Sequence, residues 1–277
     1  MHPFKFSLNS STIKTSGILD KVKAAGDAGY DGIELWHDDI DAFVAAGGTV
    51  KDVCSALGDS GLAVPTTIHM KDWFQPAGAD HVAAMDVAKR KLEQAAAVGA
   101  QFTVAGPPRG AADRQLGKQH YRELLTLGEQ FGVRPAFEYL GFVEDIKTID
   151  DAIDIAVGCG HPNACVVLDP FHCHVGEGGF EAISKLTADQ IAISHFNDAP
   201  ATPAAAVQRD PDRVMPGDGA IDLQGYLQAV VATGYSGYLS LELFRPELWE
   251  QDPGQVAAMG LQKMESVVEK AVANSKT

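Results

Sequence analysis

A chain of 277 residues, 45% of them hydrophobic, is long enough for one large α/β domain or two small ones and too apolar to be disordered. With 22 Lys and Arg against 37 Asp and Glu, it lacks the dense positive charge that nucleic-acid backbones and anionic membranes require, and its net charge of -15 reads as a solubility feature. Met1 to Leu8 has no basic segment leading into an apolar core, no apolar run approaches bilayer length, and Cys54, Cys159, Cys165 and Cys173 show no C-x-x-C spacing, so a cytoplasmic location with free thiols is expected.

Extended and helical signals alternate along the chain. A strand from Phe4 to Leu8 precedes a helix from Ile18 to Ala28, and a strand from Gly32 to Trp36 precedes a helix from Val50 to Ser60. Next come a strand at Ala63 to Ile68 with a helix at Ala79 to Val98, and a strand at Phe102 to Ala105 with a helix at Gln115 to Phe131. The second half repeats the pattern with strands at Pro135 to Tyr139, Cys165 to Asp169, Ile191 to Phe196 and Tyr238 to Leu243. Their helices are predicted at Ile149 to Val157, Phe180 to Leu186, Leu223 to Ala232 and Val256 to Ala273. Gly29, Gly61, Gly99 and Gly234 close several helices where a left-handed C-cap is expected. Eight βα units in a chain near the typical length of about 250 residues predict an α/β fold, a closed (β/α)8 TIM barrel forming a single domain over residues 1–277. No GxGxxG follows the first strand and no Walker A sequence occurs, so no nucleotide cofactor is expected.

Four of the strand-like runs end on a residue that a buried strand should not contain. Arg134-Pro-Ala-Phe-Glu-Tyr139, Ala164-Cys-Val-Val-Leu-Asp169, Ile191-Ala-Ile-Ser-His-Phe196 and Tyr238-Leu-Ser-Leu-Glu-Leu243 carry Glu138, Asp169, His195 and Glu242. Buried charge must be paired or metal-bound. Barrel active sites lie at the C-terminal ends of the strands, and parity sends Ser240 and Glu242 to the axis while Leu239, Leu241 and Leu243 face the helices. By the same parity Ile191, Ile193 and His195 share a face. One Glu at a strand end is most simply a salt bridge; four such residues on consecutive strands point to a single metal site. Three carboxylates and one imidazole suit Mn²⁺, the preferred choice, or Mg²⁺, Co²⁺ or Zn²⁺, with positions left for a substrate offering two oxygens. Trp36, His37, His69 and Trp73, near the ends of the second and third strands, are candidates to wall a sugar ring, although core packing explains the tryptophans equally well.

Four stretches carry a family resemblance: Gly29-Tyr-Asp-Gly-Ile-Glu-Leu35, Val167-Leu-Asp-Pro-Phe-His-Cys-His174, Asp212-Arg-Val-Met-Pro-Gly-Asp-Gly-Ala-Ile-Asp-Leu223 and Ser240-Leu-Glu-Leu-Phe-Arg-Pro-Glu247. The chain resembles the xylose isomerase-like TIM-barrel superfamily of sugar isomerases and epimerases, and within it is most similar to inosose (2-keto-myo-inositol) isomerases. The first stretch is common to the superfamily, whereas the other three are narrower. The resemblance implies a metal held by Glu138, Asp169, His195 and Glu242. It also implies substrate-oxygen contacts from His172 and Arg213, the latter in a long segment from Asp198 to Gly219 that has the length of an active-site loop. The implied reaction is proton transfer on a keto-sugar or keto-inositol through a metal-stabilised enediolate, with Glu138 and Glu242 as base and acid in an order left open.

Two departures bear on the substrate. Asp169-Pro-Phe-His172 stands where inosose isomerases commonly have Asp-Ser-Phe-His, and Phe196-Asn-Asp-Ala-Pro200 is similar to the 3-dehydroshikimate dehydratase branch. A dehydratase, or a lyase of 3-keto-glycosides, is therefore the alternative, and a non-catalytic sugar-binding barrel a further one. His174 and Glu144 are weaker candidates for substrate contact. The three-zinc apurinic-site endonucleases of the superfamily need more His ligands and a basic face than nine His and this charge balance provide. The segment Arg245 to Asp252 is a candidate homodimer face, though no exposed apolar stripe demands one.

Overall fold

In a computed structural model describing residues 2–74 and 77–274, eight parallel strands close into a barrel in sequential order. Strand β1 (Lys5–Asn9) leads to α1 (Ile18–Ala28), and β2 (Gly32–Trp36) to α2 (His37–Ala45) and α3 (Val50–Asp59). Then come β3 (Thr66–Met70), α4 (Gly78–Ala97), β4 (Phe102–Ala105), α5 (Arg114–Glu129), β5 (Arg134–Glu138) and α6 (Ile149–Ala156). The last units are β6 (Val166–Leu168) with α7 (Pro170–Val175), β7 (Ile191–Phe196) with α8 (Leu223–Ala232), and β8 (Tyr238–Leu241) with α9 (Pro246–Trp249) and α10 (Pro253–Asn274).

Local chemistry explains several boundaries. Thr49 and Thr148 start α3 and α6 with reciprocal capping boxes to Asp52 and Asp151. Gly29 ends α1 at φ 96°, a left-handed conformation that a side chain would strain, and its amide reaches the carbonyls of Ala25 and Gly26. The helix predicted at Phe180 to Leu186 is instead a 3-10 segment, Glu181–Lys185. A run that short repays little of the cost of nucleating an α-helix. The strand predicted at Ala63 to Ile68 starts later, at Thr66, with Ala63 making an isolated bridge to Gly32.

The barrel separates two apolar layers. Ile68, Val104, Ala136, Cys165, Val167, Ala192 and Ile193 plug its interior. Leu8, Ile33, Leu35, Phe137, Leu168, Leu239, Leu241 and Leu243 belong to the larger layer between strands and helices. Each such burial contributes about 1.5–3 kcal/mol before entropy is charged. The parity predicted for β8 holds. In β7 Ile191 packs into the outer layer, away from Ile193, because the register with β6 shifts between Val166 and Val167. Past that irregularity Ile193 joins the inner plug, and Ser194 turns outward to Tyr226 Oη of α8 at 2.6 Å. No helix among the described residues is long and apolar enough to cross a membrane.

Candidate metal centre

Glu138 ends β5, and Glu242 follows the last residue of β8. Asp169 sits one residue beyond β6 because it is the N-cap of α7, with Pro170 in the first turn. Its Oδ1 accepts the amides of Phe171 at 2.8 Å and His172 at 3.4 Å, and the side-chain amide of Asn197 at 3.2 Å. Such a cap is worth about 0.5–2 kcal/mol. It also leaves Oδ2 directed at the centre, so one carboxylate both starts a helix and serves the site.

His195, fully buried on β7, is the hub. Its Nδ1 lies 3.0 Å from Glu138 Oε1, 3.1 Å from Glu242 Oε2 and 3.7 Å from Asp169 Oδ2. One donor atom from each of these four residues falls within 4.8 Å of the others. The approaches are not aligned as hydrogen bonds: Glu138 Oε1 and both ring nitrogens of His195 are buried without a hydrogen-bond partner. Three carboxylates converging on an imidazole and leaving polar atoms unpaired fit a divalent cation better than they fit one another. Burial pushes Glu138 up to about 7 despite His195. Burial alone would also raise Asp169, but the Arg213 guanidinium holds it well below the usual carboxylate range. His195 moves the other way: burial opposes its protonation, and the carboxylates of Glu242, Glu34 and Glu138 outweigh that and raise it.

Arg213 reaches this centre from the long segment predicted as a loop, and Asp198 is what shapes that segment. The Asp198 carboxylate accepts amides of Ala199 and Ile221 on Oδ1 and of Gly217 and Gly219 on Oδ2. Gln208 Nε2 ties the carbonyls of Pro200 and Pro203, each at 2.7 Å. The fully buried Arg213 guanidinium then lies 2.6 Å from Asp169 Oδ2, 3.1 Å from Glu242 Oε2 and 3.1 Å from His172 Nε2. Asp210, half-buried, takes its Nε and second amino group. Phe171 and Phe244 flank it at 4.6 and 5.6 Å from their ring centres. Burial drives His172 down to about 4, leaving it neutral at neutral pH. The Gly141 amide donates to His172 Nδ1 at 3.2 Å, and Nε2 on the other side of the ring faces the Arg213 guanidinium, so both ring nitrogens meet donors. A Cβ at position 141 would come within 2.4 Å of the His172 carbonyl, so this close approach requires glycine.

The candidate ring-wall residues divide. Trp36 and His69 meet edge-on at 5.5 Å, and Phe244 joins Trp36 at 5.9 Å, forming an aromatic rim at the strand ends. Next to it, on the β3–β5 side, a cavity of about 820 Å³ is lined by His69, Phe74, Pro107, Pro108 and Leu140 among others. Trp73 lies elsewhere. It is fully buried against Phe74, Tyr121 and Phe137, in the layer between strands and helices, and offers no face to a ligand. His37 is the first residue of α2, where its ring contacts Gln94 at 2.6 Å and Thr103 at 3.3 Å, away from the metal centre.

Sequence reasoning missed a supporting layer. Glu34 on β2 is fully buried with Oε2 3.4 Å from His195 Nε2, and it accepts the hydroxyl of Thr66. Asn9 at the end of β1 donates to Glu34 at 3.2 Å and Glu242 at 2.9 Å, and accepts Trp36 Nε1 at 3.0 Å. The signal for Glu34 was available: a carboxylate inside Gly32-Ile-Glu-Leu-Trp36 is as anomalous in a strand as the other four polar residues.

A barrel carrying this constellation at its C-terminal end defines a class, and the sequence matches the family model described as xylose isomerase-like TIM barrel over residues 22–267. The chain belongs to that family. It is 30% identical over 191 residues to an inosose isomerase of Bacillus velezensis, covering 66% of this chain and 67% of that one. It is 28% identical over 260 residues to a 3-dehydroshikimate dehydratase of Pseudomonas putida, covering 92% of this chain but 40% of that one. Among solved structures, the IOLI protein with a bound zinc atom superposes with a TM-score of 0.90 at 24% identity, over 97% of this chain and 99% of the other.

Proposed function

We propose that this protein is a divalent-metal-dependent isomerase or epimerase of a keto-polyol or keto-sugar, of the 2-keto-myo-inositol type. The observation that carries the reading is the convergence of Glu138, Asp169, His195 and Glu242 donor atoms with partnerless polar atoms at their centre. The inosose isomerase likeness supports the substrate class, and the zinc atom of the similar barrel supports a divalent ion. Glu138, Asp169, His195 and Glu242 would hold the metal, for which Mn²⁺ is the preferred ion given three oxygen donors to one nitrogen. When bound, the ion polarises the carbonyl and neighbouring hydroxyl of an α-hydroxyketone and so acidifies the C–H between them.

The residues of this chain supply the rest. Glu138 and Glu242 approach His195 from β5 and β8, so a substrate held between them presents its α-carbon to two carboxylates, one to remove a proton and one to return it. His172 and Arg213 contact substrate oxygens, the guanidinium as the donor. Trp36 and His69 pack on the C–H face of the ring and exclude water.

The 3-dehydroshikimate dehydratase match extends over more of the chain than the inosose isomerase match does, and this favours elimination of a β-hydroxyl as the second reading. The test is to load the protein with Mn²⁺, add 2-keto-myo-inositol in D₂O and follow the ring protons by NMR. A second ketoinositol carrying deuterium at the reacting carbon supports isomerisation. No exchange there, with loss of water from 3-dehydroshikimate, sinks it in favour of the dehydratase.

A further inference from the structure

Away from the strand ends, a second convergence of metal-ligating groups lies between two helices on the outside of the barrel. His81 comes from the first turns of α4, and His120 and Glu123, three residues apart and so on one helix face, come from α5. A donor atom of each lies within 4.8 Å of the other two. His81 Nε2 is 2.8 Å from Glu123 Oε2, and the two imidazoles stack at 3.8 Å with planes 18° apart.

Two details go beyond an ordinary surface contact. His120 is buried, and its Nδ1 is 3.0 Å from the Phe74 carbonyl. A carbonyl only accepts, so the proton sits on Nδ1 and the lone pair on Nε2. This is the arrangement by which backbone oxygens orient metal-binding histidines. His81 Nδ1 is buried with no hydrogen-bond partner, so its pairing with Glu123 leaves the ring half satisfied. Gln119 Nε2 holds the other oxygen of Glu123 at 3.1 Å.

We propose that His81, His120 and Glu123 form a second divalent-metal site, selective for Zn²⁺ and its borderline neighbours, that clamps the start of α4 to α5. Two imidazoles and one carboxylate are a zinc-type donor set with a fourth position open to solvent, whereas the central site is oxygen-rich. Binding displaces the His81 Nε2 proton and puts the ion where the His81–Glu123 contact now lies. The clamp fixes α4 to the Phe74 end of the β3–α4 connection, which borders the cavity beside the central site.

The experiment is equilibrium dialysis of chelator-stripped full-length protein against Zn²⁺, with Co²⁺ absorption as a second readout. Wild type should bind two equivalents. The double variant His81→Ala/Glu123→Gln, at partly buried positions on the outer helices, should weaken one of them at least about 100-fold while its far-UV circular dichroism matches wild type. Glu138→Ala should weaken the other and keep the visible Co²⁺ bands that the double variant loses. A single equivalent in wild type that Glu138→Ala abolishes and the double variant leaves intact, or two equivalents and unchanged bands in the double variant, would overturn the site.

Discussion

The two halves of the barrel close the same sheet but load it differently. From β5 to β8 come Glu138, Asp169, His195 and Glu242, each at or just past a strand end and each presenting a donor atom to the centre. From β1 to β3 come Asn9, Glu34, Trp36 and His69, which hold those donors or rim the opening without joining the cluster. Asn9 shows the division of labour: one amide group ties Glu34 and Glu242 while its oxygen fixes Trp36. On the proposed function, the C-terminal half would supply the charge that does chemistry, and the N-terminal half would set the orientation and protonation of that charge.

If that contrast is right, substitutions in the two halves should fail in different ways. The largest effect belongs to Glu138→Gln and Glu242→Gln, assayed with Mn²⁺ saturating. Loss of a proton-transfer group costs about 10²–10⁴ in kcat, with KM little changed. A fall in kcat of less than tenfold for both variants would remove the carboxylate pair from the chemistry and leave the C-terminal half with a binding role only.

Trp73 sharpens the contrast from the other side. It was a candidate ring wall by position in the sequence, yet it is fully buried among Phe74, Tyr121 and Phe137. Trp73→Ala should destabilise the fold by about 3–5 kcal/mol in denaturant unfolding. The folded fraction should keep its KM, whereas Trp36→Ala, at a partly buried site, should raise KM with a smaller loss of stability than Trp73→Ala. A raised KM for Trp73→Ala at wild-type stability would place Trp73 on the substrate after all.

What the sequence made legible follows the same divide. The eight βα repeats and the four polar strand ends could be read because each breaks or keeps a simple periodicity. The helix at Leu223–Ala232 and the strand at Ile191–Phe196 fall where periodicity put them. The position of Arg213 could not be derived that way, since no local pattern says that Asp198 will gather four amides and fold a long segment inward. Family likeness supplied the residue, and only the structure supplies its route. Helix α2 escaped notice because His37-Asp-Asp opens it directly after β2 with no turn between. Trp73 misled because a tryptophan near a strand end looks the same in a sequence whether it faces the axis or the helices.

Glu34 tests the supporting role most directly. Its carboxylate faces His195 Nε2 at 3.4 Å while His195 Nδ1 faces the three candidate ligands, so Glu34 should accept the Nε2 proton and keep the Nδ1 lone pair free. Replacement by Gln preserves the shape and the acceptor for Asn9, turns the Thr66 contact into one in which Thr66 accepts, and removes the charge that favours this tautomer. The expected result is a loss of about 10–100-fold in metal affinity, read by dialysis, with kcat largely restored once Mn²⁺ is saturating. That split separates an orienting residue from a proton carrier, because a proton carrier stays impaired however much metal is added. Unchanged metal affinity in Glu34→Gln would mean that the N-terminal half merely fills space behind His195, and the contrast between the two halves would collapse to one of packing.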